Sequence, residues 1–114
     1  ENPEEEGDQD VVTLAVSYIK KNLSKNISRT DVASYVHLNE EYFSRLFKQQ
    51  TGETFKDYVM MEKMREAQKL LKNSRLSVSI IASKVGYDNF SHFSKMFKKI
   101  TDQTPQEYRK AHEK

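Results

Sequence analysis

The chain has 114 residues, of which 36% are hydrophobic and 32% are charged, with no cysteine, no tryptophan and three glycines. This length suits one domain, or two very small ones that share a core, and the composition is typical of an all-α protein. The lack of cysteine excludes disulfides, thiolate zinc sites, iron–sulfur clusters and a cysteine nucleophile.

Residues 1–10 (ENPEEEGDQD) contain six acidic residues and no basic one. Because the whole chain has 19 basic and 17 acidic residues, the remainder holds 19 basic against 11 acidic ones, a net charge of +8. The acidic segment has no apolar period, which predicts a linker or disordered tail. The basic remainder favours a polyanionic partner, although lysine-rich solvated faces are also common on helical proteins.

The chain begins without Met, and together with the acidic segment this indicates a C-terminal piece of a longer protein. No apolar run approaches the roughly 18 residues that a membrane span needs, and no signal segment opens the chain. We therefore expect a cytoplasmic protein without a membrane partner.

A stripe of apolar residues predicts the first helix over residues 11–23. Ser28 starts a sequence with the form of a capping box, which opens a short second helix. Asn39 is a favourable N-cap for a third helix, which ends near Gly52. These signals predict a short helix, a tight turn and a longer helix within residues 28–51.

Residues 54–72 are predicted to form the longest helix, because their apolar residues recur with helical spacing after a capping box. A second pattern of short helix, turn and longer helix follows over residues 77–100, where Ser77 and Asp88 are the predicted N-caps. A capping box that starts at Thr104 opens a last short helix.

The two patterns are copies of one unit. Residues 43–48 (FSRLFK) match residues 93–98 (FSKMFK) at an offset of 50, and residues 32–36 (VASYV) match residues 81–85 (IASKV) at an offset of 49. One extra residue in the second turn explains the change of offset. A short helix, a tight turn and a second helix form a helix-turn-helix, whose second helix enters the DNA major groove.

Helical spacing turns one face of each second helix outward, because its phenylalanines must face the core. The candidate DNA-contacting residues on these faces are Glu41, Ser44, Arg45 and Lys48 in the first copy, and Asn89, Ser91, His92, Lys95, Lys98 and Lys99 in the second. Arg and Lys pair with guanine or phosphate, Asn pairs with adenine, and Ser binds either phosphate or base.

Each candidate also has a plainer interpretation. Arg45 and Lys95 could be ordinary solvated residues, but their matching positions in the two copies favour a DNA role. Glu41 could accept a hydrogen bond from cytosine N4 or could simply favour the start of its helix. His92 has no partners at metal-ligand spacing, so we expect neither a metal site nor catalysis there.

The residues over 11–112 resemble the DNA-binding domain of the AraC/XylS family of bacterial transcription regulators. The likeness is carried in the second half by Ile80, Ile81, Ala82, Val85, Gly86, Tyr87, Phe90, Phe93, Ser94, Lys95, Phe97, Lys98, Thr104, Pro105 and Tyr108, and in the first by Val32, Ala33, Phe43, Ser44, Arg45, Phe47 and Lys48. Two positions depart from the family pattern: Asp102 stands where Gly is usual and Lys63 where Arg is usual.

The resemblance implies a seven-helix domain of two helix-turn-helix subdomains joined by a long linking helix. It also implies sequence-specific binding of double-stranded DNA for transcription regulation, with one recognition helix from each subdomain in successive major grooves of an asymmetric promoter site. The further partners it implies are RNA polymerase and an upstream regulatory domain. No cofactor, metal or enzymatic activity is expected.

The first helix on its acidic tether is similar to the version of this domain that ends response regulators of two-component systems. Two other functions stay open as alternatives. A helical module that docks a protein would use the same faces, with the basic groups only aiding solubility. An enzyme would need a nucleophile and base in a cleft, but Ser91, His92 and Asp88 lie in a unit too small for a pocket.

Overall fold

The computed structural model describes the backbone of residues 3–113 and the side chains of residues 10–113. Within residues 3–113 the chain forms seven α-helices and no strand, which confirms the all-α prediction. The helices are α1 (Pro3–Lys21), α2 (Arg29–Tyr35), α3 (Glu40–Thr51), α4 (Phe55–Asn73), α5 (Val78–Lys84), α6 (Phe90–Thr101) and α7 (Pro105–Ala111).

Helix α1 begins at Pro3, so the predicted helix start at residue 11 is wrong. The prediction relied on an apolar period, and that period begins only at Val11. Pro is tolerated in the first turn of a helix, and acidic residues are favoured there by the helix dipole, so the acidic segment can be helical without an apolar face. Residues 1 and 2 of the predicted linker lie outside the described residues.

Six helices begin at a side chain that accepts a hydrogen bond from a backbone N–H of the first turn. These N-caps are Ser28, Asn39, Thr54, Ser77, Asn89 and Thr104. Five of them were predicted. The sixth is Asn89, where Asp88 was predicted: the Asn89 Oδ1 accepts from the His92 N–H at 3.0 Å. Asp and Asn are similarly good N-caps, so the sequence alone does not show which of these two adjacent residues caps α6.

The chain divides into two compact units, and α4 contributes residues to both. Of the described residues, unit 1 comprises residues 3–22 and 26–60, and unit 2 comprises residues 23–25 and 61–113. Each unit contains one copy of the repeat: α2 and α3 in unit 1, α5 and α6 in unit 2. The internal duplication predicted from the sequence is therefore present in the fold.

The core of unit 1 is made by α1, α2, α3 and the start of α4. Ala15 and Ile19 of α1 are fully buried, as are Phe43 and Phe47 of α3. The rings of Phe43 and Phe47 each lie within 5.8 Å, centroid to centroid, of the Phe55 ring at an edge-on angle. This aromatic cluster holds the apolar face of α3 to the body of the unit.

Unit 2 repeats this design with the equivalent residues. Its buried cluster consists of Met64, Ala67, Leu71, Ile81, Ala82, Val85, Phe93, Phe97 and Tyr108. Phe97 meets Tyr108 edge-on at 5.4 Å, just as Phe47 meets Tyr58 at 5.2 Å in unit 1. The cores of both units therefore bury one face of the second helix of the repeat.

Helices α3 and α6 also end alike. Each stops at a left-handed residue, Gly52 with φ of 82° and Asp102 with φ of 65°, whose N–H donates to the carbonyl of Lys48 or Lys98 four residues earlier. Gly adopts this conformation without penalty, whereas a residue with a Cβ is strained in it. The departure noted at Asp102 thus falls at a position that needs a left-handed residue.

Candidate nucleic-acid interface

In unit 1 the turn between α2 and α3 is fixed by backbone geometry. His37 takes a left-handed φ of 59°, and the Leu38 N–H then donates to the Ala33 carbonyl at 2.9 Å. Ala33 is 2% exposed, and its small side chain allows the two helices to approach closely. The turn leads directly into Asn39, whose side chain caps α3 through the N–H groups of Glu41 and Tyr42.

A polar clamp joins the starts of α2 and α3. Arg29 forms an ion pair with Glu40 at 2.8 Å, and the Thr30 hydroxyl donates to the same carboxylate at 3.0 Å. The hydrogen bonds from Arg29 and Thr30 hold the pKa of the Glu40 carboxyl below its ordinary value of 4.5. The carboxylate is therefore ionised at neutral pH and constrains the first turn of α3.

The outward face of α3 carries a continuous line of exposed polar side chains. We call this line the α3 stripe; it consists of Glu41, Tyr42, Arg45, Lys48 and Gln49. Residues 41, 45, 48 and 49 follow the i, i+4, i+7, i+8 spacing of one helix face, and residue 42 lies beside them. This face is opposite the buried Phe43, Leu46 and Phe47. The Arg45 guanidinium lies over the Tyr42 ring, 6.0 Å from its centroid. The stripe presents one acid and two bases.

Ser44 does not belong to this stripe. Its hydroxyl oxygen is buried and has no hydrogen-bond partner among the described residues, and the same holds for its counterpart Ser94 in unit 2. Residue 44 lies on the border of the outward face, and packing decides which way its side chain points. The expectation that Ser44 faces outward is therefore wrong.

In unit 2 the turn between α5 and α6 has the same construction. Gly86 takes a left-handed φ of 84° at the position that His37 occupies in unit 1, and the Tyr87 N–H donates to the Ala82 carbonyl at 2.9 Å. Asn89 then caps α6. The Asn89 Oδ1 accepts from the His92 N–H, so the cap holds this side chain at the start of α6.

The outward face of α6 carries a line of exposed residues at the positions equivalent to the α3 stripe. We call it the α6 stripe; it consists of Ser91, His92, Lys95, Lys98 and Lys99. The His92 ring stands edge-on to the Tyr87 ring at 5.5 Å, and burial raises the pKa of the Tyr87 hydroxyl. The α6 stripe holds three lysines and no acid, so it is more basic than the α3 stripe.

The structure adds two residues that sequence reasoning missed. Tyr42 and Gln49 occupy the positions equivalent to His92 and Lys99, and both are exposed. Tyr42 was not among the candidates because an aromatic ring on a helix usually faces the core. Comparing the two copies position by position would have identified both residues, since their counterparts were already candidates.

Each unit thus presents one capped, core-anchored helix with a line of exposed hydrogen-bond donors and positive charges. Such side chains suit phosphate oxygens and the base edges of a major groove, and an α-helix fits that groove. Among the described residues no three His, Cys, Asp or Glu side chains lie close enough to hold a metal ion. No helix within residues 3–113 has the length and apolarity to cross a bilayer. The fold and surface define a DNA-binding domain with two helix-turn-helix units.

Comparison with known proteins gives the family. A family profile described as a helix-turn-helix domain matches residues 32–111, and this chain belongs to the AraC/XylS family of bacterial transcription regulators. Regulatory protein PocR of Salmonella typhimurium is 40% identical over 95 residues, which cover 83% of this chain and 31% of PocR. The chain therefore spans about a third of the length of that curated relative.

Two solved structures show the same fold at higher coverage. The C-terminal domain of AraT, a response regulator from Geobacillus stearothermophilus, is 33% identical with a TM-score of 0.85, covering 89% of this chain and 84% of that one. A transcriptional regulator from Chromobacterium violaceum, described as of the AraC-type DNA-binding class, is 30% identical with a TM-score of 0.85, covering 93% and 95%. The two-unit helix-turn-helix fold implied by the sequence is thereby confirmed.

Proposed function

We propose that α3 and α6 are the recognition helices of a promoter-binding protein, each entering a major-groove segment of one DNA duplex. The observation that carries this proposal is the pair of equivalent stripes, exposed on helices whose opposite faces are locked into a core. Solvent exposure alone does not require exposed polar and basic side chains at the same helical positions in both copies. Two helices that each read DNA do require them.

The two stripes differ in chemistry, so the bound site is asymmetric. On α3, Arg45 pairs with guanine, and Glu41 accepts from cytosine N4, both through major-groove edges. On α6, Lys95 reads a base, whereas Lys98 and Lys99, in the last turn, bind phosphates. A single chain therefore reads two unlike half-sites instead of a palindrome.

The role of the whole protein follows from its relatives. Because PocR is about three times as long as this chain, we propose that the natural protein carries an upstream regulatory domain and controls transcription through RNA polymerase. Its likeness to the response-regulator domain of AraT supports a receiver as that upstream domain. The protein would act in the cytoplasm, where bacterial promoters lie.

Selection of bound sequences from a random duplex library, at physiological salt and with this chain alone, tests the proposal. We expect enrichment of two unlike half-sites about one helical turn apart. Recovery of a single half-site would mean that one unit reads bases and the other only anchors the backbone. The absence of any enriched sequence would contradict the proposal and favour a surface that docks a protein. A steep fall of DNA affinity with rising salt would argue separately against protein docking, because it is typical of phosphate binding.

A further inference from the structure

A lysine ammonium is buried inside unit 2. Lys63 lies near the middle of α4 and is 7% exposed, although lysine is almost never buried without a partner. Among the described side chains, no carboxylate lies within ion-pair distance of it, and the neighbouring Glu62 pairs with Arg65 instead. Burial lowers the pKa of the Lys63 ammonium. Some other feature of the site must therefore hold this charge.

Three backbone carbonyls surround the ammonium. The Lys63 Nζ donates to the carbonyl oxygens of Leu23 at 2.5 Å, Lys25 at 2.8 Å and Val85 at 3.1 Å. An ammonium has three protons, so each can find one acceptor. Leu23 and Lys25 lie in the turn after α1, and residues 23–25 of this turn are part of unit 2. Val85 is the C-cap of α5.

The turn before α6 is built around this ammonium. A Cβ added to Gly86 would lie 2.5 Å from the Lys63 Nζ and 2.9 Å from the Leu23 carbonyl oxygen. Glycine is thus required at residue 86 by the close approach as well as by its left-handed φ. Asn89, two residues beyond Tyr87, is the N-cap of α6, so the contacts of the Lys63 ammonium lie directly before the second recognition helix.

An apolar side chain of similar length could fill the same space, but it would leave the three carbonyl oxygens without this donor, and unpaired buried acceptors cost free energy. A cation that donates to three carbonyls from two separate turns fixes their relative positions in a way that an apolar side chain does not. The geometry therefore favours a role in positioning.

We infer that Lys63 is a positioning residue for DNA reading, which holds the Val85–Gly86 turn to α4 and so sets the orientation of α6. This inference rests on the proposed function. It predicts that loss of the ammonium impairs base discrimination at the half-site read by α6, because the turn that leads into α6 is then no longer held to α4. Discrimination at the half-site read by α3, which belongs to the other unit, is expected to persist.

The test compares Lys63→Met, Lys63→Arg and the control Lys69→Met, an exposed lysine of the same helix. For each protein, affinity is measured for the selected duplex and for duplexes with one base pair altered in either half-site. We expect Lys63→Met to lose about tenfold of its discrimination in the α6 half-site only, a size comparable to one base-pair contact. Lys63→Arg should restore it, and Lys69→Met should match the wild type.

Amide hydrogen exchange gives a second readout. The Gly86 N–H donates to the Ser83 carbonyl in the turn, and its exchange should accelerate in Lys63→Met while the Phe43 amide of unit 1 is unchanged. Unchanged discrimination and exchange in Lys63→Met would overturn the inference, as would a variant that loses its helices altogether, since Lys63 would then serve folding alone. If the wild-type chain discriminates no sequence, the proposed function itself fails.

Discussion

Replacing Arg45 by Ala removes the guanidinium at the centre of the α3 stripe. The side chain is exposed, and the interaction seen for it is the stacking over Tyr42 at 6.0 Å. At that separation an exposed cation–π contact contributes about 0.5 kcal/mol. The free energy of unfolding of Arg45→Ala should therefore change by no more than about 0.5 kcal/mol, which leaves the fold intact.

The effect on DNA binding should be much larger. A bidentate contact between Arg and guanine contributes about 1–3 kcal/mol of discrimination, which corresponds to about a 5- to 160-fold loss of affinity for the selected duplex. One base position should also lose its preference, because the group that reads it is gone. Non-specific binding depends mainly on phosphates and should fall much less.

Fluorescence anisotropy with the selected duplex, and with duplexes altered at each position, measures both effects. Lys56→Ala is a suitable control, since it removes an exposed cation of unit 1 that lies outside both stripes. Unchanged affinity and unchanged base preference in Arg45→Ala would refute the assignment of the α3 stripe as a reading surface. An equal loss in Lys56→Ala would show that charge alone is responsible.

Four further predictions follow from individual contacts. Lys98→Ala should weaken binding to all duplexes alike. In a salt titration it should also reduce the slope of the logarithm of the binding constant against the logarithm of the salt concentration by about one. Ser44→Ala should stabilise the fold by about 1 kcal/mol in chemical denaturation, because it removes a buried hydroxyl without a partner. Asp102→Gly should raise the thermal midpoint by a few degrees, because it relieves a left-handed residue at a helix end. The pKa of Glu40 is lowered in the folded state, so its stabilising effect is present above pH 4.5 and is lost as pH falls through the folded-state pKa. Glu40→Gln should therefore make the free energy of unfolding less dependent on pH in acid.

Two of these predictions have a matched control variant, and the other two have a result that would contradict them. Glu41→Gln removes the adjacent exposed carboxylate and should leave the acid profile steep. Gly52→Asp places at the end of α3 the residue that ends α6, and it should destabilise the fold where Asp102→Gly stabilises it. A loss of stability in Ser44→Ala would show that its hydroxyl has a partner after all. A sequence-dependent loss in Lys98→Ala would make Lys98 a base reader.

Local signals made most of the fold predictable. Ser28, Asn39, Ser77 and Thr104 are caps whose chemistry acts within three residues, so the sequence alone identifies the helix starts. The start of α1 was missed because an acidic helical turn has no apolar period. The repeat then predicted the two-unit design, since equivalent residues need equivalent surroundings.

The surface was less predictable than the fold. A helical wheel puts Ser44 beside Arg45 and Lys48, and only the packing of unit 1 shows that its hydroxyl is buried. The cage around Lys63 joins residues 22 to 40 positions apart in sequence, and no local pattern indicates such contacts. The sequence showed only that a lysine replaces the usual arginine there.

Methylation interference on the selected duplex tests whether both helices read the major groove. Methylation of guanine N7 blocks an acceptor of the major groove, where α3 and α6 are proposed to lie. We expect two separate clusters of interfering guanines about one helical turn apart, with the cluster for α3 lost in Arg45→Ala. Binding that tolerates methylation of every guanine would contradict this expectation.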